Sequence, residues 1–138
     1  MKIFLVEDEV FALRTLCKKV RDLSPDYEIA GTASDGVEAL PLILEARPEV
    51  VITDIRMSRM DGLTLIREMK EAGVSAIPVI LSGYQEFEYA KQAIHLGVND
   101  YLLKPIEMNE LKECLESCRK RLKETHTPPE YLLLLFRE

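Results

Sequence analysis

Short apolar runs rich in β-branched residues alternate along the chain with longer segments whose apolar residues recur every three or four positions. The runs cover Lys2 to Val6, Glu28 to Ala33, Val50 to Thr53, Pro78 to Ser82 and Asp100 to Leu103, and they predict five strands. Helical spacing is carried by Val10, Leu13, Leu16, Cys17 and Val20, by Val37, Leu40, Ile43 and Leu44, and by Leu63, Ile66 and Met69 within Leu63 to Ala72. A fourth predicted helix runs from Glu86 to Leu96, closed by Gly97. A fifth begins near Glu107, with an apolar seam of Met108, Leu111, Leu115, Cys118 and Leu122. The run Thr125-His126-Thr127-Pro128-Pro129 breaks that helix, so residues 1–124 form one predicted domain and 125–138 a linker or truncated C-terminal segment.

Strictly alternating βα units imply a parallel sheet, because parallel strands need crossover connections, and these place helices on both faces. The predicted class is α/β, a doubly wound (βα)5 sandwich around a five-stranded sheet. In such sheets ligands sit beyond the carboxyl ends of the strands, which directs attention to the polar residues there.

A length of 138 residues suits one domain, and 47% apolar with 30% charged residues is the composition of a chain that buries a core. The net charge of -6 argues against this segment gripping nucleic acid, which needs a clustered cationic surface. No apolar run reaches the length of a membrane span and no signal peptide precedes the first acids, so the expected location is the cytoplasm. Cys17, Cys114 and Cys118 form no CxxC pair and read as small buried apolar residues. His95 and His126 read as surface residues.

Strand one ends in Glu7-Asp8-Glu9, strand three in Thr53-Asp54, strand four in Ser82-Gly83 and strand five in Lys104-Pro105. If strands one and three are neighbours, Asp8 and Asp54 lie within a few Å of one another with Glu7 nearby. Two such charges repel by roughly 4 kcal/mol at an effective dielectric near 20, so a cation is needed. A few hard oxygen ligands open to solvent suit Mg²⁺ or Mn²⁺, and Lys104 supplies further positive charge. Each acid alone reads as a loop residue or helix cap, but acids on two strands, a hydroxyl on the next and a lysine on the last are complementary chemistry on one edge.

These residues resemble the response-regulator receiver domains of two-component systems over Lys2 to about Leu122. The resemblance rests on Phe4-Leu5-Val6-Glu7-Asp8-Glu9, Val51-Ile52-Thr53-Asp54-Ile55-Arg56-Met57 with Met60-Asp61-Gly62, Val79-Ile80-Leu81-Ser82-Gly83 and Asp100-Tyr101-Leu102-Leu103-Lys104-Pro105. It implies a flavodoxin-like sheet in strand order 2-1-3-4-5 and a cis bond before Pro105. It implies that Asp54 accepts a phosphoryl group from a sensor histidine kinase, with Asp8, Asp54, the backbone carbonyl of Arg56 and, through water, Glu7 holding Mg²⁺. Lys104 would pair with a phosphoryl oxygen, Ser82 would be the switch hydroxyl and Tyr101 the aromatic that turns inward behind it. Arg56 and Tyr84 would flank the phosphoryl group and slow its loss. Such a domain promotes its own phosphorylation and dephosphorylation and is otherwise not an enzyme.

The segment around Tyr84 to Ile94 is similar to receivers preceding AraC-type helix-turn-helix output domains, which implies transcriptional control through a DNA-binding domain outside this chain. The implied output face is the fourth helix, fifth strand and fifth helix, where a homodimer would form. The rival reading is a stand-alone or non-phosphorylated receiver-fold interaction module, against which stands the joint presence of Asp8, Asp54, Ser82 and Lys104. A haloacid-dehalogenase phosphatase would need a DxD pattern on strand one, and a nucleotide site would need a Gly-rich loop there.

Overall fold

The computed structural model describes residues 1–83 and 100–126. Five strands, β1 (Lys2–Val6), β2 (Glu28–Ala33), β3 (Val50–Asp54), β4 (Ile77–Ser82) and β5 (Asp100–Leu103), pair in parallel in the order β2-β1-β3-β4-β5. Four described helices accompany them: α1 (Val10–Leu23), α2 (Gly36–Ala46), α3 (Gly62–Glu71) and α4 (Met108–His126). The expected α/β sandwich and strand order are thus observed. The helix predicted over Glu86 to Leu96, with Gly97, lies outside the described residues.

Each central strand is buried on both sides, and the two-residue period of a strand divides its side chains between two apolar layers. Ile3, Leu5, Val50, Ile52, Val79, Leu81 and Leu102 pack with α1 and α4. Phe4, Val6 and Val51 point the other way, toward Ala39 and Ile43 of α2 and Leu65 and Met69 of α3. Ile55, Ile80, Leu63 and Ile66 form a third cluster, against which Tyr101 packs. Gly31 is required where β2 passes the Phe4 ring, because a Cβ there would lie 2.7 Å from a ring carbon.

Acidic residues cap three helices. Glu9 accepts from the N–H groups of Phe11 and Ala12, Asp35 from Glu38 N–H, and Asp61 from Thr64 N–H, so each satisfies a backbone donor that the helix leaves without a partner. Glu9, read from sequence with the strand-end acids, is therefore committed to α1.

The helical seam folds as expected in α3, where Leu63, Ile66 and Met69 are buried, while in α4 Leu111, Leu115 and Cys118 are buried, Leu122 packs partly buried against the core and Met108 is exposed at the helix start. Helix α2 departs: Gly36, Ala39 and Ile43 face the core, while Val37 and Leu44 are each 44% exposed. Its sequence is apolar nearly all round, so spacing alone does not select a face. In α1 Val10 is likewise exposed, because the seam meets the sheet only from the second turn onward. Helix α4 includes Thr125 and His126, two residues into the run read as a breaker; the residues that cannot continue a helix are the prolines beyond. Cys114 and Cys118 are buried and Cys17 half-buried, and none of the three is in a disulfide.

Candidate functional site

Because β1 and β3 are neighbours with Val6 opposite Thr53, the residues following Val6 and Thr53 emerge side by side at the carboxyl edge. Carboxylate oxygens of Glu7, Asp8 and Asp54 lie within 4.8 Å of one another. Glu7 and Asp54 are buried and Asp8 is exposed, so the cluster opens to solvent on one side. From the far side of β4, Lys104 reaches across: its Nζ donates to Glu7 Oε1 at 3.0 Å, Glu7 Oε2 at 3.2 Å and Asp54 Oδ2 at 2.9 Å. The Lys104–Pro105 peptide bond is cis, as the resemblance implied.

Local backbone holds the Asp54 carboxylate from behind. Ile55 N–H donates to Asp54 Oδ1 at 2.9 Å, and Thr53 Oγ1 donates to the Asp54 carbonyl at 2.9 Å. Gly62 N–H closes the loop after β3 on the Ile55 carbonyl at 2.8 Å. This approach is open only to glycine, since a Cβ at position 62 would stand 2.2 Å from the Asp54 carbonyl oxygen.

Three carboxylates face one ammonium, and the imbalance is visible in Glu7. Burial first, then its bond to and repulsion from Asp54, push its pKa from 4.5 to about 7, against the opposing pull of Lys104. Burial pulls the Lys104 ammonium down, but its bonds to Asp54 and Glu7 outweigh that and leave it raised. The site as it stands is short of positive charge.

Ser82 is fully buried at the end of β4, and its hydroxyl donates to the Tyr101 hydroxyl, with the Gly83 carbonyl also in reach at 3.3 Å. The two residues singled out from sequence as hydroxyl and aromatic therefore touch directly. Arg56 is exposed on the loop after Asp54, while Tyr84 lies outside the described residues.

Two contacts around the site were not read from the sequence. Arg59 Nε donates to Asp35 Oδ2 at 2.8 Å, joining the β3–α3 loop to the start of α2. Hydrogen bonding to Glu38 N–H, and then to Arg59, holds the Asp35 carboxyl below the usual carboxylate range. Half-buried Lys19 on α1 donates to the carbonyl of Ile106, two residues beyond Lys104. Both pairs join residues far apart in the chain, and each member alone has the composition of an ordinary surface position.

A family model described as the response regulator receiver domain matches residues 3–116. The transcriptional regulatory protein YesN of Bacillus subtilis is 38% identical over 122 residues, covering 88% of this chain and 33% of that protein. The transcriptional regulatory protein HptR of Staphylococcus aureus is 41% identical over 118 residues, covering 83% of this chain and 44% of that protein. The chain thus spans between a third and a half of these curated relatives. Among solved structures, the REC domain of AraT, a response regulator from Geobacillus stearothermophilus, superposes with a TM-score of 0.83 at 33% identity, covering 91% of this chain and 98% of that one. Among the described residues no helix is long and apolar enough to cross a membrane. Sheet order, the strand-end acids with their lysine, and these likenesses agree: the chain belongs to the response-regulator receiver domains of two-component systems.

Proposed function

We propose that Asp54 is the phosphoacceptor of this receiver, taking a phosphoryl group from a sensor histidine kinase. The observation that carries the reading is the bridge from Lys104 to Asp54 and Glu7 within a cluster of three acids open to solvent.

The donor set fits Mg²⁺ or Mn²⁺. It consists of oxygen ligands, one side is exposed for retained water, and three carboxylates against one ammonium leave two negative charges when all are ionised. Asp8, Asp54 and the Arg56 carbonyl would hold the ion, with Glu7 acting through water. When bound, it supplies charge neutralisation for the incoming phosphoryl oxygens.

In the transfer, an Asp54 carboxylate oxygen attacks phosphorus, the bond from phosphorus to the histidine nitrogen breaks, and its electron pair leaves with the imidazole. Ile55 N–H fixes one oxygen of the acceptor and so sets the direction of the other. Lys104, already on Asp54 Oδ2, turns to a phosphoryl oxygen as that charge develops. Ser82 then gives up Tyr101 to donate to the phosphoryl group, and the Tyr101 ring, already packed against the Ile55 and Ile80 cluster, is released from that bond to turn inward. Moving a population from 1:99 to 99:1 needs about 5.5 kcal/mol, within reach of two new charge-assisted bonds.

The output is transcriptional, through a DNA-binding domain outside this chain; the names of YesN and HptR support this. A homodimer would form on the face that includes β5 and α4. The protein works in the cytoplasm.

Intact mass after incubation with acetyl phosphate and Mg²⁺ tests the acceptor. One added phosphoryl group is expected, absent with Asp54→Ala and with EDTA. A gain that survives Asp54→Ala would refute it by moving the acceptor to another residue, and no gain at all would refute it in favour of the non-phosphorylated interaction module. Sedimentation with beryllofluoride tests the dimer, and a protein that stays monomeric refutes it.

A further inference from the structure

The β3–α3 loop, residues 55–61, follows Asp54 and carries the Arg56 carbonyl. Its path is held at both ends. Its base is closed by Gly62 N–H on the Ile55 carbonyl at 2.8 Å. Its outer half is joined to the start of α2 at two successive residues: Arg59 Nε to Asp35 Oδ2 at 2.8 Å, and the Met60 carbonyl accepting from Gly36 N–H at 3.2 Å. The Met60 side chain lies flush on Gly36, where an added Cβ would come within 2.7 Å of Met60 Cβ, Cγ and Sδ. Arg56 therefore sits on a short span between two anchors.

Asp35 is the fixed member of the ion pair. It is 4% exposed, and its Oδ1 is committed to Glu38 N–H at 2.8 Å, so its second oxygen is presented in one direction. The Arg59 side chain is 59% exposed and comes to it from the loop. Ion pairs with a solvated partner contribute modestly. The effect on a loop that must present a carbonyl should therefore be modest and measurable rather than decisive.

We propose that Arg59 and Asp35 form a latch that positions the β3–α3 loop, and with it the Arg56 carbonyl, for divalent-ion binding. The inference rests on the site reading given above. Both are positioning residues and touch neither ion nor phosphoryl group.

The sign of the effect separates a latch from bulk electrostatics. By charge alone, Arg59→Ala removes a cation and would tighten Mg²⁺, while Asp35→Asn removes an anion and would weaken it. A latch requires that both weaken it. Asp35→Asn keeps a side-chain oxygen to accept from Glu38 N–H, so α2 stays capped.

The experiment is a titration with Mg²⁺ alone, followed by amide chemical shifts at Ile55 and Leu5 in wild type, Arg59→Ala, Asp35→Asn, the double variant and Arg59→Lys. Each single variant should raise the Mg²⁺ midpoint about two- to fivefold, the conversion of an exposed pair's usual worth. The double variant should do no more than the larger single, and Arg59→Lys should recover part of the loss. Hydrogen exchange at residues 56–58 should quicken in step. If wild type binds Mg²⁺ and Arg59→Ala titrates at the same or a lower concentration, the latch is overturned. If wild type shows no saturable shift, the metal-site reading itself has failed.

Discussion

Neutralising Glu7 should stabilise the metal-free protein at alkaline pH, against the usual cost of removing a buried, hydrogen-bonded carboxylate. In the fold the Glu7 carboxyl is raised from 4.5 to about 7, so between these values the native state holds a proton that the unfolded chain has released. Stability is then fully present below pH 4.5 and is lost as pH rises through 7. The whole gap corresponds to about 3 kcal/mol. Burial is the largest contribution to that gap, with the bond to and repulsion from Asp54 adding to it and Lys104 opposing. Urea midpoints in EDTA would be compared for wild type and Glu7→Gln from pH 5.5 to 8.5. Wild type should lose about 2 kcal/mol relative to the variant over that range. Glu7→Gln should be the more stable protein at pH 8.5, since Lys104 keeps Asp54 as a partner. Parallel profiles, or a Gln variant weaker than wild type at pH 8.5, would show that the cluster's charges are already balanced and that the argument is wrong.

Gly62→Ala places a methyl group 2.2 Å from the Asp54 carbonyl and should cost about 2 to 3 kcal/mol, checked by urea denaturation, with an unchanged midpoint contradicting the close approach. Asp61→Ala removes the α3 N-cap and should cost about 1 kcal/mol, with Asp61→Asn restoring most of it in the same assay. Tyr101→Phe takes the phenol from Ser82 and should cost about 1 kcal/mol, while Ser82→Ala with Tyr101→Phe should cost less than the two singles added; a double-mutant cycle in thermal melts decides it, and strict additivity would contradict the bond.

All five strands were legible because each is a short apolar run followed by polar residues, four of them carrying β-branched residues, and their boundaries shift by one residue at most. The site was legible for the same reason: once β1 and β3 are neighbours, Glu7, Asp8 and Asp54 have nowhere else to emerge, and Lys104 ends the last strand. The face of α2 was not, since Val37 and Leu44 are as apolar as Ile43 and only the tertiary packing chooses among them. Nor were the bonds of Arg59 to Asp35 and Lys19 to Ile106, which join positions 24 and 87 residues apart. Charged side chains carry no periodicity that names a distant partner. The direct bond of Ser82 to Tyr101 lay between these cases: both residues were marked, but their pairing depends on β4 and β5 lying in register, with Ser82 opposite Leu103.

Lys104 stands 97 residues after Glu7 and 50 after Asp54. At ordinary rates of synthesis the first acid therefore leaves the peptidyl-transferase centre about 5 to 20 s before the lysine that neutralises it. A nascent chain holding only β1 and β3 would have to bring like charges together with no internal counterion, which disfavours early docking of that edge. The cation that pairs with Glu7 and Asp54 is made near the end of translation, so a ribosome-bound fragment ending before β5 carries the acid cluster without its lysine.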